Sequence, residues 1–374
     1  MKSTSGAHYV ALDHVRAVAA LMVFSWHFTH GLTGYPSPFE GSPFWGPLVL
    51  FDEGHVGVAL FMCLSGYLFA KLLDGKRVNF GYFFWNRVLR LFPLLIVMIL
   101  IHALIRVVES GDIRAGYWFL LRLPRGFIFP IWPNGAWSIA VELHFYLVLP
   151  LLLFLKRQNL KWLGLILLLA VAFRAYVYFL SGEVQSLAYW TIVGRIDQFV
   201  LGIVAFSLRR YFTKRHAVVG LIAVVFLSVY YLFDLAGGFY LLDGYPSKSA
   251  IWIVLPLIEG IAFASTIAWY ETSFAHHAGT VSNAISKIGE YSYSIYLLHV
   301  FVVFRAADLI HKNLIDISNF YVALLISFLM FAAMIPVGFL SMKFIEAPFL
   351  KLRRPYYVKP DKPNLMLAAA TPLN

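Results

Sequence analysis

The chain has 374 residues, of which 60% are hydrophobic, 17% aromatic and only 13% charged, with a formal net charge of +11. A water-soluble surface needs roughly a quarter of its residues charged, so this composition excludes a soluble globular domain and sets most of the chain against lipid. The basic residues lie between apolar runs, not on one face with interleaved aromatics, which argues against a nucleic-acid partner. The single cysteine, Cys63, leaves no intrachain disulfide, no Cys-based zinc cage and no two-cysteine redox motif, and neither metal nor redox chemistry is expected.

A spanning helix needs about 20 mainly apolar residues. Ten runs approach that length: 9–30, 56–73, 82–108, 135–155, 160–180, 186–207, 217–236, 250–270, 289–310 and 320–345. They are too long and too unalternating for barrel strands, and a backbone in lipid must satisfy its own hydrogen bonds. The expected fold class is therefore all-α, a polytopic membrane helical bundle of about ten transmembrane helices. The start carries a charge inside its apolar run and lacks a small-residue cleavage site, so the first run is expected to be a retained span. Lys71, Lys76 and Arg77 follow the second run, Lys156, Arg157 and Lys161 the fourth, and Arg209, Arg210, Lys214 and Arg215 the sixth. Lys351, Arg353, Arg354, Lys359 and Lys362 follow the tenth, whereas the first connection holds Glu40, Asp52 and Glu53 and no Lys or Arg. The positive-inside rule then makes both termini cytoplasmic, although Arg114, Arg122 and Arg125 fall on the expected outside and Lys287 is nearly alone in marking the eighth connection. Residues 1–354 read as one membrane domain, and 355–374 as a Pro-rich cytoplasmic tail expected to be disordered.

Ionisable groups at membrane depth are costly, about 2.5–3.5 kcal/mol each on insertion scales, so each invites a functional reading. In the first run Arg16 and His27 are eleven residues apart, about three helical turns, so they share a face roughly 16 Å apart along the axis. A fixed cation at one end and a titratable base at the other suit a long thin ligand with phosphates at one end and a reactive group at the other. The pantetheine arm of a coenzyme A thioester has about that length. The competing reading has Arg16 snorkelling to headgroups and His27 making polar contacts at the interface. Ser65 and Gly66 of the second run allow close helix approach. Arg87 and Arg90 share a face at the start of the third run, a clamp for phosphates or a positive-inside anchor. Glu142 in the fourth, with Ser138 and Tyr146 on the same face, is expected at a depth near His27, where a carboxylate would fix the imidazole tautomer. Arg195, Asp197 and Gln198 in the sixth, and Ser292, Tyr296 and His299 in the ninth, either line a substrate cavity or, for Arg195, pair inside the bundle. Glu346 is expected to pair with a nearby Lys or Arg.

LDHVRAVAALMVFSWHF, GVALFMCLSGYLF, FWNRVLRLFP, WSIAVELHFYLVLP, YSYSIYLLH and FIEAPF occur in the order and approximate spacing of the membrane acyltransferase family 3, which the chain resembles over roughly residues 9–354. The resemblance implies transfer of an acyl group, usually acetyl, from cytoplasmic acyl-CoA to a hydroxyl of an extracytoplasmic glycan or, in some branches, of a small lipid or antibiotic. It implies that His27 is the catalytic base, that Arg16, Arg87 and Arg90 manage the donor, and that Glu142 is the carboxylate of the family's Trp-Ser-x-x-x-Glu motif. Three positions depart from the pattern: His14 and Ala17 stand where glycines are usual, and Ala59 where an acidic residue is expected. No hydrolase-like domain follows the tenth run, so a stand-alone member, or one with a separate partner protein, is expected.

The first functional reading is thus an acyl-CoA-dependent O-acyltransferase of the cytoplasmic (inner) membrane. Its partners are acyl-CoA, membrane lipids and a glycan such as O-antigen or exopolysaccharide, with Arg195, Asp197, Tyr296 and His299 lining the substrate site and no metal. A transporter or flippase would use the same polar stripes as a transit path, but no internal repeat is evident. A glycosyltransferase with a lipid-linked donor would need basic or metal-binding acidic groups at a pyrophosphate.

Overall fold

The structure, a computed structural model, describes residues 9–31, 43–129, 132–133, 135–240, 245–276 and 279–357. The described residues are all-helical apart from turns and one isolated antiparallel bridge, Val78 with Tyr357. In chain order the helices are α1 (Val10–His30), α2 (Val49–Asp52), α3 (Gly57–Leu73), α4 (Phe80–Ser110), α5 (Ile113–Arg122), α6 (Trp137–Gln158), α7 (Lys161–Ser181) and α8 (Gln185–Trp190). There follow α9 (Ile192–Ser207), α10 (His216–Leu235), α11 (Leu255–Ser273), α12 (Thr280–Leu298), α13 (Val303–Asn313), α14 (Phe320–Ser341) and α15 (Ala347–Leu350).

Polarity sorts these helices into an interior and a shell. The segment around α3 is 78% buried in its most apolar window, whereas α7 and α10 are only 17% and 22% buried in theirs. Leu168, Phe179, Leu221 and Leu232 are exposed on those outer helices, as side chains facing lipid should be. The interior helices α1, α9 and α11 carry the buried polar groups instead: Asp13, His14 and His27, then Arg195, Asp197 and Gln198, then Glu259.

That sorting bears out the count of ten spans only in part. Among the described residues six helices are long and apolar enough to cross a membrane, and a seventh results if Thr280–Phe301 and Val303–Asn313, bent by 56°, form one span. The run 186–207 is broken at Thr191, whose hydroxyl accepts the Gly194 N–H at 3.1 Å and so caps a new helix, α9, of 16 residues. The run 250–270 opens as a 3-10 turn, Ala250–Ile253. The first run forms a 21-residue helix, but its Asp, Arg and His side chains hold it below the hydropathy of a lipid-facing span. Of the expected tail, residues 355–357 are packed, with the Asn79 N–H donating to the Tyr356 carbonyl at 2.8 Å and Tyr356 buried. Its remainder and Glu40 lie outside the described residues.

α3 and α9 cross at two glycines. A Cβ on Gly66 would stand 2.0 Å from the Phe199 carbonyl oxygen, and one on Gly202 would stand 2.1 Å from that of Cys63. Both obstacles are backbone, so neither can swing aside. Gly66→Ala is expected to cost on the order of 1–3 kcal/mol by forcing the helices apart. Thermal unfolding of the purified variant followed by circular dichroism checks this; an unchanged midpoint would contradict the packing described.

Candidate active site

Two cavities lie toward opposite ends of α1. The first is walled by Arg16 and Asp13 of α1, Ser65 and Phe69 of α3, Arg87 and Arg90 of α4, Glu142 and Tyr146 of α6, Ser292 and Tyr293 of α12, and Arg353 after α15. The second, which we call the chamber, is walled by Trp26, His27 and His30 of α1, by His55, and by Trp132, Trp137, Tyr189, Trp190, Phe239, Tyr240 and Tyr245. Val58 and Tyr296 line both. The Tyr296 hydroxyl meets Ser138 Oγ at 2.8 Å, tying α12 to α6 at this junction.

The structure brings Arg16, Arg87 and Arg90 to one cavity wall. Arg16 pairs with Asp13, one helical turn earlier. Arg90 pairs with buried Glu346, which also accepts from Ser294, and its guanidinium lies 4.9 Å from the Tyr293 ring centre. Glu346 reaches this position because the last long helix ends in a π turn, Met342–Glu346, an irregularity frequent at functional sites. Arg87 packs over Phe69 and Phe83 at 5.2 and 5.5 Å, and its Nε has no hydrogen-bond partner among the described residues. With Arg353 the cavity holds four guanidiniums, those of Arg16 and Arg90 oriented by carboxylates, which suit a polyanionic ligand.

Glu142 sits in this same cavity and not beside His27. It accepts from Tyr146 and, at 3.5 Å, from Ser65. The expected carboxylate–imidazole pair is therefore not what orients His27. The partner of His27 is His299, whose Nε2 lies 3.1 Å from His27 Nδ1. His299 Nδ1 is 2.6 Å from the Tyr296 carbonyl, so its proton points there and its Nε2 accepts. The His27 Nδ1 proton then faces His299 Nε2 and the Val23 carbonyl at 2.9 Å, and its basic lone pair is on Nε2. Both imidazoles are buried. This arrangement equips His27 to take a proton while His299 holds the other edge of its ring.

Arg195 and Asp197 line neither cavity. Asp197 pairs with Arg174 at 2.6 Å, both side chains fully buried, and Arg174 also donates to the carbonyls of Ile253 and Gly194. Arg195 donates to the Tyr189 carbonyl and to Gln198, which donates to Glu259. Arg195 also stacks over the rings of Tyr189 and Trp137 at 4.3 and 5.6 Å, so it backs two aromatic walls of the chamber from behind. His14 bonds Tyr270 and the Ser282 carbonyl, tying α1 to α11 and α12. Among the described residues no group of three His, Cys, Asp or Glu side chains is arranged to hold a metal ion.

Sequence reasoning missed Trp26, Glu53 and His55. Glu53 counted there only as loop charge, and His55 falls just before the apolar run. The spacing Glu-Gly-His at a run's outer end was the available signal.

The profile described as an acyltransferase domain, of the acyltransferase 3 family, matches residues 9–342, and the chain belongs to that family. "Putative O-acetyltransferase SACOL0978" of Staphylococcus aureus (strain COL) is 24% identical, with 91% of this chain and 57% of the relative covered. O-acetyltransferase OatA of Staphylococcus aureus (strain NCTC 8325 / PS 47) is 22% identical, with 80% and 53% covered. The chain thus spans about half the length of the curated relatives it matches. No solved structure matches it.

Proposed function

We propose that the protein is a multi-pass O-acetyltransferase of the cytoplasmic membrane that takes an acyl group from acyl-CoA, most simply acetyl-CoA, and passes it to a hydroxyl of an extracytoplasmic glycan such as O-antigen or exopolysaccharide. The observation that carries this reading is the pair of cavities meeting at Val58 and Tyr296, one with four guanidiniums, Arg353 among them, and the other with His27. A donor with its phosphates against Arg16, Arg87 and Arg90 would run along α1 and present its thioester near His27, about 16 Å away. His27 Nε2 takes the acceptor hydroxyl proton as the oxygen attacks the acyl carbon. The tetrahedral intermediate collapses with cleavage of the C–S bond, and the thiolate leaves with the proton from the imidazolium, giving ester and free CoA. The family and the names of the two relatives support acyl transfer, and the tryptophan- and tyrosine-rich chamber supports a carbohydrate acceptor. The side of the bundle that holds the Arg cavity also carries Lys71, Lys76 and Arg353, in keeping with both termini on the cytoplasmic side.

Membranes containing the protein, given radiolabelled acetyl-CoA, are expected to place alkali-labile label in the glycan fraction. Label confined to small lipids would replace the glycan by a lipid acceptor. No label in any fraction, with glycolipid moved across the bilayer instead, would favour a flippase.

A further inference from the structure

Two polar atoms in the chamber wall are buried without partners. His55 is 1% exposed and Trp26 is 6% exposed. Among the described residues His55 Nε2 and Trp26 Nε1 have no hydrogen-bond partner. The two rings are 5.7 Å apart, and Trp26 is 4.7 Å from the ring of His27. Such groups are rare in folded proteins, and each calls for a partner.

Glu53 stands behind His55. Its Oε2 is 3.1 Å from His55 Nδ1, and both of its oxygens accept the Phe239 N–H at 3.2 Å. Gly238 makes this possible: it has φ +61°, and a Cβ there would stand 1.8 Å from Glu53 Oε1. The carboxylate beside Nδ1 favours the proton on that nitrogen, which leaves the lone pair of Nε2 as an acceptor. The chamber wall therefore offers one N–H donor, from Trp26, and one lone pair, from His55.

We propose that Trp26 and His55, backed by Glu53, dock a second hydroxyl of the acceptor, so that the chamber takes a neutral polyhydroxylated molecule and presents its neighbouring hydroxyl to His27. The proposal rests on the acyltransferase reading for the role of His27. The chemistry selects the ligand. A hydroxyl accepts from Trp26 and donates to His55 at once. A phosphate ester dianion satisfies only Trp26, and an ammonium satisfies only His55. Tyr240 stacks on Trp26 at an interplanar angle of 5°, which gives the site the flat apolar wall that the face of a sugar ring requires.

The test is a titration of the protein in lipid nanodiscs with methyl β-D-glucopyranoside, followed by tryptophan fluorescence, since Trp26, Trp132, Trp137 and Trp190 all line the chamber. Saturable binding is expected, weakened about tenfold in His55→Phe, the loss of one neutral hydrogen bond, and within about threefold of wild type in His55→Gln, whose amide oxygen still accepts. Inorganic phosphate, which carries no sugar hydroxyls, is expected not to compete. Wild type without saturable binding, equal affinity in His55→Phe, or efficient competition by inorganic phosphate would each overturn the proposal. Should His55→Phe fail to elute as a folded species, Trp26→Phe removes the donor and decides the same question. Thiol release from acetyl-CoA by the same wild-type preparation separates the two claims. Release without sugar binding sinks the docking pair alone, and sugar binding without release sinks the acyl-transfer reading alone.

Discussion

Replacing His27 with alanine is expected to lower acyl transfer by about 100- to 10,000-fold, the range of a positioned general base. The fall should appear in kcat more than in KM for either substrate, because in the proposed mechanism the imidazole acts on the proton that moves in the transition state. The site makes this specific. The hydrogen bonds to His299 and the Val23 carbonyl leave the ring's basic nitrogen as Nε2, so the conservative variant His27→Gln should be as inactive as His27→Ala. His299→Asn is expected to lose about tenfold, since it loosens the ring without removing the base. A His27→Ala protein that elutes and melts like wild type yet transfers at its rate would remove His27 from the mechanism.

The second large effect belongs to the proposed donor cavity. Arg87→Ala is expected to raise KM for acyl-CoA about 10- to 150-fold, the equivalent of one charge-assisted hydrogen bond of about 1.5–3 kcal/mol. KM for the acceptor should change less than about threefold. Arg16→Ala is expected to act in the same direction with a smaller rise. Arg16 and Arg90 are each shared with a carboxylate, Asp13 and Glu346, which spends part of their charge inside the protein. Among the described residues Arg87 has no carboxylate pair, and its Nε is buried without a hydrogen-bond partner. Kinetics with each substrate varied in turn decide the matter: equal rises in both KM values would mean that the cavity does not hold the donor selectively.

The sequence made these two ends of the site legible because helical spacing is a strong constraint. Eleven residues return Arg16 and His27 to one face, and three residues do the same for Arg87 and Arg90. Tyr296 and His299, one turn apart, were legible for the same reason. Contacts between helices were not. Nothing in the local pattern says that Glu142 meets Tyr146 and Ser65 while His299 meets His27, because the depth of a residue in its span does not set which neighbour its helix touches. Asp197 reads as a cavity residue until Arg174, on another helix, is known to face it. The span count is matched only in part for a related reason. Hydropathy along a run cannot separate a lipid-facing helix from an interior one, and it does not register a cap such as Thr191 that restarts a helix within an apolar stretch. Glu53 and His55 went unnoticed because their value comes from Trp26 and Phe239, which only the fold brings beside them.

The most direct test of the account is free thiol release from acetyl-CoA by the purified protein in lipid nanodiscs with glycan extract as acceptor, with wild type beside His27→Ala and Arg87→Ala. The account predicts steady release by wild type, none above background from His27→Ala, and release from Arg87→Ala that recovers as acetyl-CoA is raised. Release that is unchanged in His27→Ala, or absent from well-folded wild type, would contradict it.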